Sequence, residues 1–148
     1  GFNAMLSTRI EKSFGIWSAE FTQDRTPAMT AMDRWIDWDK PDFIGKAAAV
    51  SERNGNGPEK IQVTLEIENG DADASGYEPI WSEAGDMIGF VTSGAFGHTV
   101  NKSLAMALIE PALASVGTHV MVHVVGVERR AKVIAPSPYD PNGMAMRM

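Results

Sequence analysis

The chain has 148 residues, of which 44% are hydrophobic and 22% are charged, a composition typical of a globular protein with one modest core. Thirteen Lys and Arg against nineteen Asp and Glu give a net charge of −6, which excludes a general electrostatic attraction to nucleic acid or anionic lipid. The lack of cysteine excludes disulfides, thiolate zinc sites, iron–sulfur clusters and cysteine nucleophiles.

No apolar run in the sequence approaches the roughly 18 to 20 residues that a membrane-spanning helix needs. The first residues, GFNA, lack the charged-then-apolar order of a signal peptide. We therefore expect a soluble protein that is not exported, in a cytoplasm-like compartment.

The first predicted element is a helix of about three turns over residues 4–14. Leu6, Ile10 and Phe14 recur at helical spacing and form one apolar face. Glu11 lies beside this face, and the pattern does not decide whether its side chain is buried.

The chain after this helix is irregular up to residue 58. Thr26-Pro27 marks a break, because the residue before a proline is pushed out of helical geometry. Trp35 and Trp38 predict a short turn or helix. Asp42 is a candidate cap for a second helix, which ends at the loop NGNGP, residues 54–58. This loop is the clearest boundary in the sequence.

Beyond the loop, the apolar period changes from about 3.6 to 2, as a half-buried strand requires. Residues 83–86 and 126–128 are candidate hairpin turns. Strands are predicted at residues 61–67, 79–82, 87–92, 103–109, 119–125 and 130–134. Six short strands with no helical pattern between them favour an antiparallel barrel or sandwich. We predict an N-terminal α/irregular segment, residues 1–57, and a β domain, residues 58–148.

The histidines do not form a metal-binding pattern. His119 and His123 have the spacing of a helical metal pair, but on a strand they lie about 13 Å apart, too far for one ion. His98 lies in residues 93–103, whose glycines and hydroxyls suit either a ligand cradle or a long hairpin loop, and composition favours the loop. We predict no metal site.

Motifs for other common chemistries are missing from the sequence, which has no G-x-G-x-x-G, P-loop or G-x-S-x-G. The acidic pairs Asp37/Asp39 and Asp71/Asp73 lie in polar stretches and are expected to be solvated. The four tryptophans suit either core and interdomain packing or the wall of a flat heteroaromatic ligand site.

Several ordered motifs resemble one known family. RIEKSFGIW at residues 9–17, TP at 26–27 and DFIGK at 42–46 are similar to a series in the folate-binding aminomethyltransferases. That family contains the T-protein of the glycine cleavage system and the C-terminal regions of dimethylglycine and sarcosine dehydrogenases. The later motifs look more like the dehydrogenase branch: GYEPIW at 76–81, GFVTSG at 89–94, GHTV at 97–100, KSLA at 102–105 and PYDPNG at 138–143.

The resemblance implies a fold and a function. Residues 1–57 would be the tail end of the folate-binding domain, and residues 58–148 would be the small antiparallel C-terminal barrel of about six strands. The parent protein would transfer a one-carbon unit to tetrahydrofolate. Its implied partners are folate, a small N-methylated amino acid and the upstream domain of the same protein, with no nucleic acid and no membrane. FAD would belong only to an upstream domain, and the compartment would be the cytoplasm, or the mitochondrial matrix in a eukaryote.

The resemblance also implies ligand-binding residues. Glu11 takes the place of a glutamate that binds the pterin, and a carboxylate can accept paired N–H bonds from such a ring edge. Lys40 lies near a basic folate contact, and Trp17 helps to form the pocket wall. The catalytic aspartate of the family lies upstream of the R-x-E motif, so no catalytic residue is assigned here, and whether this chain is itself active stays open.

Two departures from the family pattern stand out. TPAMTAM at residues 26–32 replaces T-P-L-E-A-G-L, so Ala31 stands where the family has glycine, and Ser13 also replaces a glycine. Alanine restricts the backbone at a position where the family uses glycine. Two alternative functions remain: a non-catalytic scaffold or interaction module, and a related folate-dependent demethylase.

Overall fold

The computed structural model describes residues 1–68 and 70–147. Two helices, α1 (Phe2–Glu11) and α2 (Lys46–Asn54), precede the strands. The strands are β1 (Ile61–Ile67), β2 (Pro79–Trp81), β3 (Met87–Gly97), β4 (Lys102–Ile109), β5 (His119–Val124) and β6 (Val127–Ile134). Among the described residues, no helix is long and apolar enough to cross a membrane.

The six strands form a closed antiparallel barrel in the order β1-β4-β3-β2-β5-β6, which closes where β6 pairs with β1. Leu65 lies opposite Ala105 of β4 and Val133 of β6, so β1 joins the two ends of the sheet. The predicted mainly β architecture, with a six-stranded barrel after an α/irregular segment, is confirmed.

The barrel interior is filled by aliphatic side chains at alternate strand positions. On β5, Val120, Val122 and Val124 are buried, while His119 and His123 point outward and are only half-buried. The outer surface of β3 and β4 is covered by α1, whose Ile10 is fully buried. Strand β4 is therefore buried on both faces after Lys102, which explains the unbroken apolar run at residues 104–109.

Two predicted loops are shorter in the structure. Residues 93–97, predicted as loop, continue β3 and pair with residues 102–106 of β4. The predicted turn at residues 126–128 is also wrong, since β6 already begins at Val127. Val125 and Gly126, with φ of 49° and 76°, form the two-residue turn that hairpin geometry favours.

The helices begin and end elsewhere than predicted. α1 ends at Glu11 rather than at residue 14, because Ser13 adopts the left-handed conformation, with φ of 51°. α2 begins at Lys46 after Gly45, and Asp42 forms no cap, so that prediction is wrong.

Both positions at which the resemblance implies a glycine have left-handed backbone. Ser13 has φ of 51° and Ala31 has φ of 58°. A residue with a Cβ atom is strained in this region, whereas glycine is not. The two substitutions therefore keep the backbone geometry that glycine favours and add strain to it.

Two of the carboxylates predicted to be solvated have protein partners. Asp71 is exposed but hydrogen-bonds Arg129, and that guanidinium holds the pKa of Asp71 below its ordinary value. Asp73 accepts a hydrogen bond of 2.6 Å from the Ser103 hydroxyl. The two residues attach the connection between β1 and β2 to neighbouring strands.

Candidate functional site

Glu11 ends α1 and lies buried against the turn between β3 and β4. The residue is 2% exposed. Its Oε1 accepts hydrogen bonds from the backbone N–H groups of Thr99 at 2.6 Å and Val100 at 3.1 Å, and its Oε2 accepts one from the Thr99 hydroxyl at 2.9 Å. Both carboxylate oxygens therefore have donors from the chain itself.

Arg9 and Glu20 form a second buried polar cluster beside α1. Glu20 is fully buried, and its Oε2 lies 3.3 Å from Nη1 of Arg9. The same carboxylate accepts hydrogen bonds from the Ile16 backbone N–H at 2.9 Å and the Thr92 hydroxyl at 2.6 Å. Nη2 of Arg9 donates to the Ser93 hydroxyl at 2.8 Å. These donors compensate for removing the carboxylate from water.

The other two predicted ligand residues lie on the surface. Trp17 is 73% exposed and makes one short backbone bridge with Phe21. Lys40 is also exposed, and its backbone carbonyl accepts a hydrogen bond from the Lys46 ammonium group. Their indole and ammonium groups are open to a partner, whereas the carboxylate of Glu11 is enclosed.

An apolar groove of about 520 Å³ lies between the N-terminal segment and the barrel. Phe14, Phe21 and Trp35 line it together with Gln62, whose side-chain oxygen is buried without a hydrogen-bond partner in the described part of the chain. A buried acceptor of this kind favours an N–H donor from outside. The lining does not include Glu11, Lys40 or Trp17, so the groove and the predicted ligand residues are separate features.

Sequence reasoning missed the buried pair of Arg9 and Glu20. Arg9 lies in α1, whereas Glu20 lies eleven positions later in irregular chain, so no helical periodicity connects the two residues. The available signal was a charged residue within the mostly apolar residues 16–21. Such a signal shows that a partner is needed without showing which residue it is.

Comparisons with known proteins agree on one family. The family model described as "Glycine cleavage T-protein C-terminal barrel domain" matches residues 60–140. The chain is 34% identical over 135 residues to the mitochondrial dimethylglycine dehydrogenase of Rattus norvegicus. The matched region covers 90% of this chain and 16% of the dehydrogenase. It is 32% identical over 143 residues to the aminomethyltransferase of Desulfitobacterium hafniense (strain DSM 10664 / DCB-2). Here the matched region covers 97% of this chain and 38% of that enzyme.

A solved structure gives the same result. The glycine cleavage system aminomethyltransferase T from Bartonella henselae superposes with a TM-score of 0.83 at 25% identity, over 93% of this chain and 38% of that chain. The chain thus spans well under half the length of the relatives it matches.

Proposed function

Because this chain belongs to the family of the glycine cleavage T-protein C-terminal barrel domain, we propose that it acts as the C-terminal portion of a longer protein that transfers a one-carbon unit to tetrahydrofolate. The observation that carries the proposal is the family match over residues 60–140, with relatives named aminomethyltransferase and dimethylglycine dehydrogenase. The implied compartment is the cytoplasm, or the mitochondrial matrix in a eukaryote.

Residues 1–57 act in this proposal as the tail end of the folate-binding domain. Their only buried hydrophobic residue is Ile10, and the large apolar side chains of Trp17, Trp35 and Ile44 are exposed. A segment that leaves this much apolar surface in water gains stability when another domain covers it. The upstream domain of the same protein is the proposed partner, and the small N-methylated amino acid would bind through that parent protein.

The proposed ligand residues fit tetrahydrofolate unequally. The exposed indole of Trp17 offers a stacking surface and the ammonium group of Lys40 offers a positive charge. Glu11 does not fit as a bidentate acceptor in its present arrangement, because residues 99 and 100 already donate to both of its oxygens. When bound, tetrahydrofolate supplies the amine that receives the one-carbon unit, and the protein's contribution is to hold it in place.

Calorimetric titration of the chain with tetrahydrofolate under anaerobic conditions tests the proposal. We expect saturable one-to-one binding with a Kd of about 0.1 to 1 mM, because an incomplete site leaves much of the ligand in water while association keeps its entropic cost. Trp17→Ala should weaken binding by about threefold to tenfold, as expected for one lost aromatic contact. Trp35→Ala is the matched control, since Trp35 is equally exposed and has no proposed ligand contact.

The absence of binding by the folded chain would contradict the folate proposal for these residues. The exposed apolar surface of residues 1–57 would then favour the second candidate function, a non-catalytic scaffold that packs against another domain or chain. Strong binding of a hydrophobic dye and association that rises with protein concentration would support that alternative.

A further inference from the structure

Three segments that are distant in sequence meet at Glu11. Its carboxylate holds the β3–β4 turn through Thr99 and Val100, as described above. Its backbone carbonyl accepts a hydrogen bond of 3.1 Å from the N–H of Tyr139 in the C-terminal segment. One residue of α1 therefore contacts both the turn and residues 136–140.

We infer that Glu11 is a positioning residue, which holds the turn at residues 97–101 against α1 and does not present its carboxylate to a ligand. An ionised carboxylate has room for about four hydrogen bonds, and the turn supplies three of them. Little acceptor capacity is left for the paired N–H groups of a ring edge. At 2% exposure the residue is also closed to solvent.

The shape of the turn depends on this contact. A Cβ atom added to Gly97 would lie 3.0 Å from Cγ of Glu11 and 3.0 Å from a side-chain carbon of Val100. The lack of a side chain at Gly97 is what allows Glu11 to reach the backbone of the turn. Asn101 completes the turn in the left-handed conformation, with φ of 56°.

α1 attaches to this hairpin at a second point one helical turn earlier. The Ser7 hydroxyl donates a hydrogen bond of 2.6 Å to the backbone carbonyl of Phe96, at the end of β3. Ser7 and Glu11 are four residues apart and lie on the same face of the helix. The ring of Phe96 in turn packs edge-to-face against exposed His98, with centroids 5.1 Å apart. The helix thus fixes the position of His98 through the backbone around it.

The C-terminal segment, residues 136–140, also bonds to the residues that follow the end of α1. The Ser137 hydroxyl donates to the backbone carbonyl of Lys12 at 2.8 Å, and the Ser137 N–H donates to the Ser13 hydroxyl at 2.8 Å. The ammonium group of Lys12 lies 3.6 Å from the carboxylate of Asp140. The first of these contacts satisfies a carbonyl group that the end of a helix otherwise leaves without a partner.

Amide hydrogen exchange of the full chain, measured by NMR, tests the inference. Glu11→Gln keeps the side-chain volume but replaces one acceptor oxygen by an NH₂ group. We expect exchange at the amides of Thr99 and Val100 to accelerate at least about tenfold, as the loss of a charge-assisted hydrogen bond predicts. The amide of Tyr139 should change less, because its acceptor is the backbone carbonyl of residue 11. Glu128→Gln is the matched control, since Glu128 is exposed near the start of β6, far from this turn in sequence.

Core amides separate a local effect from general destabilisation. If exchange at Thr99 and Val100 is unchanged in Glu11→Gln, or rises only as much as at Leu65 and Val133 in the barrel, the inference is overturned.

A second arm separates positioning from direct ligand contact, and this arm rests on the proposed function. Thr99→Val removes the hydroxyl donor to Glu11 without touching the carboxylate. If Glu11 only positions the turn, Glu11→Gln weakens tetrahydrofolate binding no more than Thr99→Val does. If only Glu11→Gln weakens it, Glu11 contacts the ligand and the inference fails. If the unmodified chain binds no tetrahydrofolate, the proposed function fails while the exchange result stands.

Discussion

The two parts of the molecule distribute polar and apolar residues in opposite ways. In residues 58–147, aliphatic side chains fill a closed barrel and charged groups lie mainly outside. In residues 1–57, four of the five buried residues are polar or charged, and large apolar side chains are exposed. The buried residues of this segment are Ser7, Ile10, Glu11, Glu20 and Thr30.

This difference shows that the two parts are stabilised by different interactions. The barrel has its own hydrophobic core, which is the dominant favourable term in folding. The N-terminal segment is held on the barrel by hydrogen bonds, including those of Glu11 to the β3–β4 turn and of Glu20 to Thr92. The buried ion pair of Arg9 and Glu20 lies within the segment itself. Its large apolar side chains, such as Trp17, Trp35 and Ile44, lie on the surface.

The largest expected effect is in the barrel core. Leu65→Ala should lower the free energy of unfolding by about 2 to 5 kcal/mol, because it removes a fully buried side chain and leaves a cavity. Trp17→Ala, at a 73% exposed position, should change it by at most about 0.5 kcal/mol. Urea denaturation of both variants measures the contrast. If both variants lost the same free energy of unfolding, Trp17 would have to be packed in a hydrophobic core of this chain.

A smaller effect is expected at the buried ion pair of the N-terminal segment. Glu20→Gln should lower the free energy of unfolding by about 1.5 to 3 kcal/mol, because Arg9 loses the charge that compensates its own burial. Glu66→Gln serves as the control, since the pair of Glu66 with Lys102 is solvent-exposed and is worth about 1 kcal/mol or less. A cost for Glu20→Gln no greater than that of the control would mean that the polar contacts do not hold the segment.

The smallest effect is a gain in stability. Ala31→Gly should raise the free energy of unfolding by about 0.5 to 1 kcal/mol, because glycine relieves the left-handed strain but also makes the unfolded chain more flexible. Thermal unfolding monitored by circular dichroism measures the shift. Ala28→Gly, a few residues away and outside the left-handed region, should not be stabilising. A loss of stability in Ala31→Gly would show that the strain at this position is negligible.

Much of the barrel could be predicted from local pattern. The alternation at residues 61–67 matches β1 to the residue, since a strand with one face in the core must repeat every second position. The extension of β3 through Gly97 could not be predicted, because its glycines and hydroxyls are typical of loops and only pairing with β4 makes them a strand. The position of Asp42 predicted a cap, but the helix begins after Gly45 instead.

The candidate site was less accessible to sequence reasoning. Glu11 was identified by a motif, but its partners are 88 and 89 positions away along the chain. The roles of Lys40 and Trp17 in ligand binding stay predictions, to be tested by the titration proposed above. The partner of Arg9 was not foreseen at all, because a pair that is outside any strand or helix register leaves no periodic signal.

By itself, the sequence determined the class of fold and the family, because hydrophobic period, turn residues and ordered motifs are local properties of the chain, and the domain boundary near residue 57 stays a prediction. Only the tertiary structure decided that Glu11 and Glu20 are buried and which donors satisfy them. The physical reason is that a carboxylate can be buried only where donors from distant segments converge on it, and that convergence is created by closing the barrel.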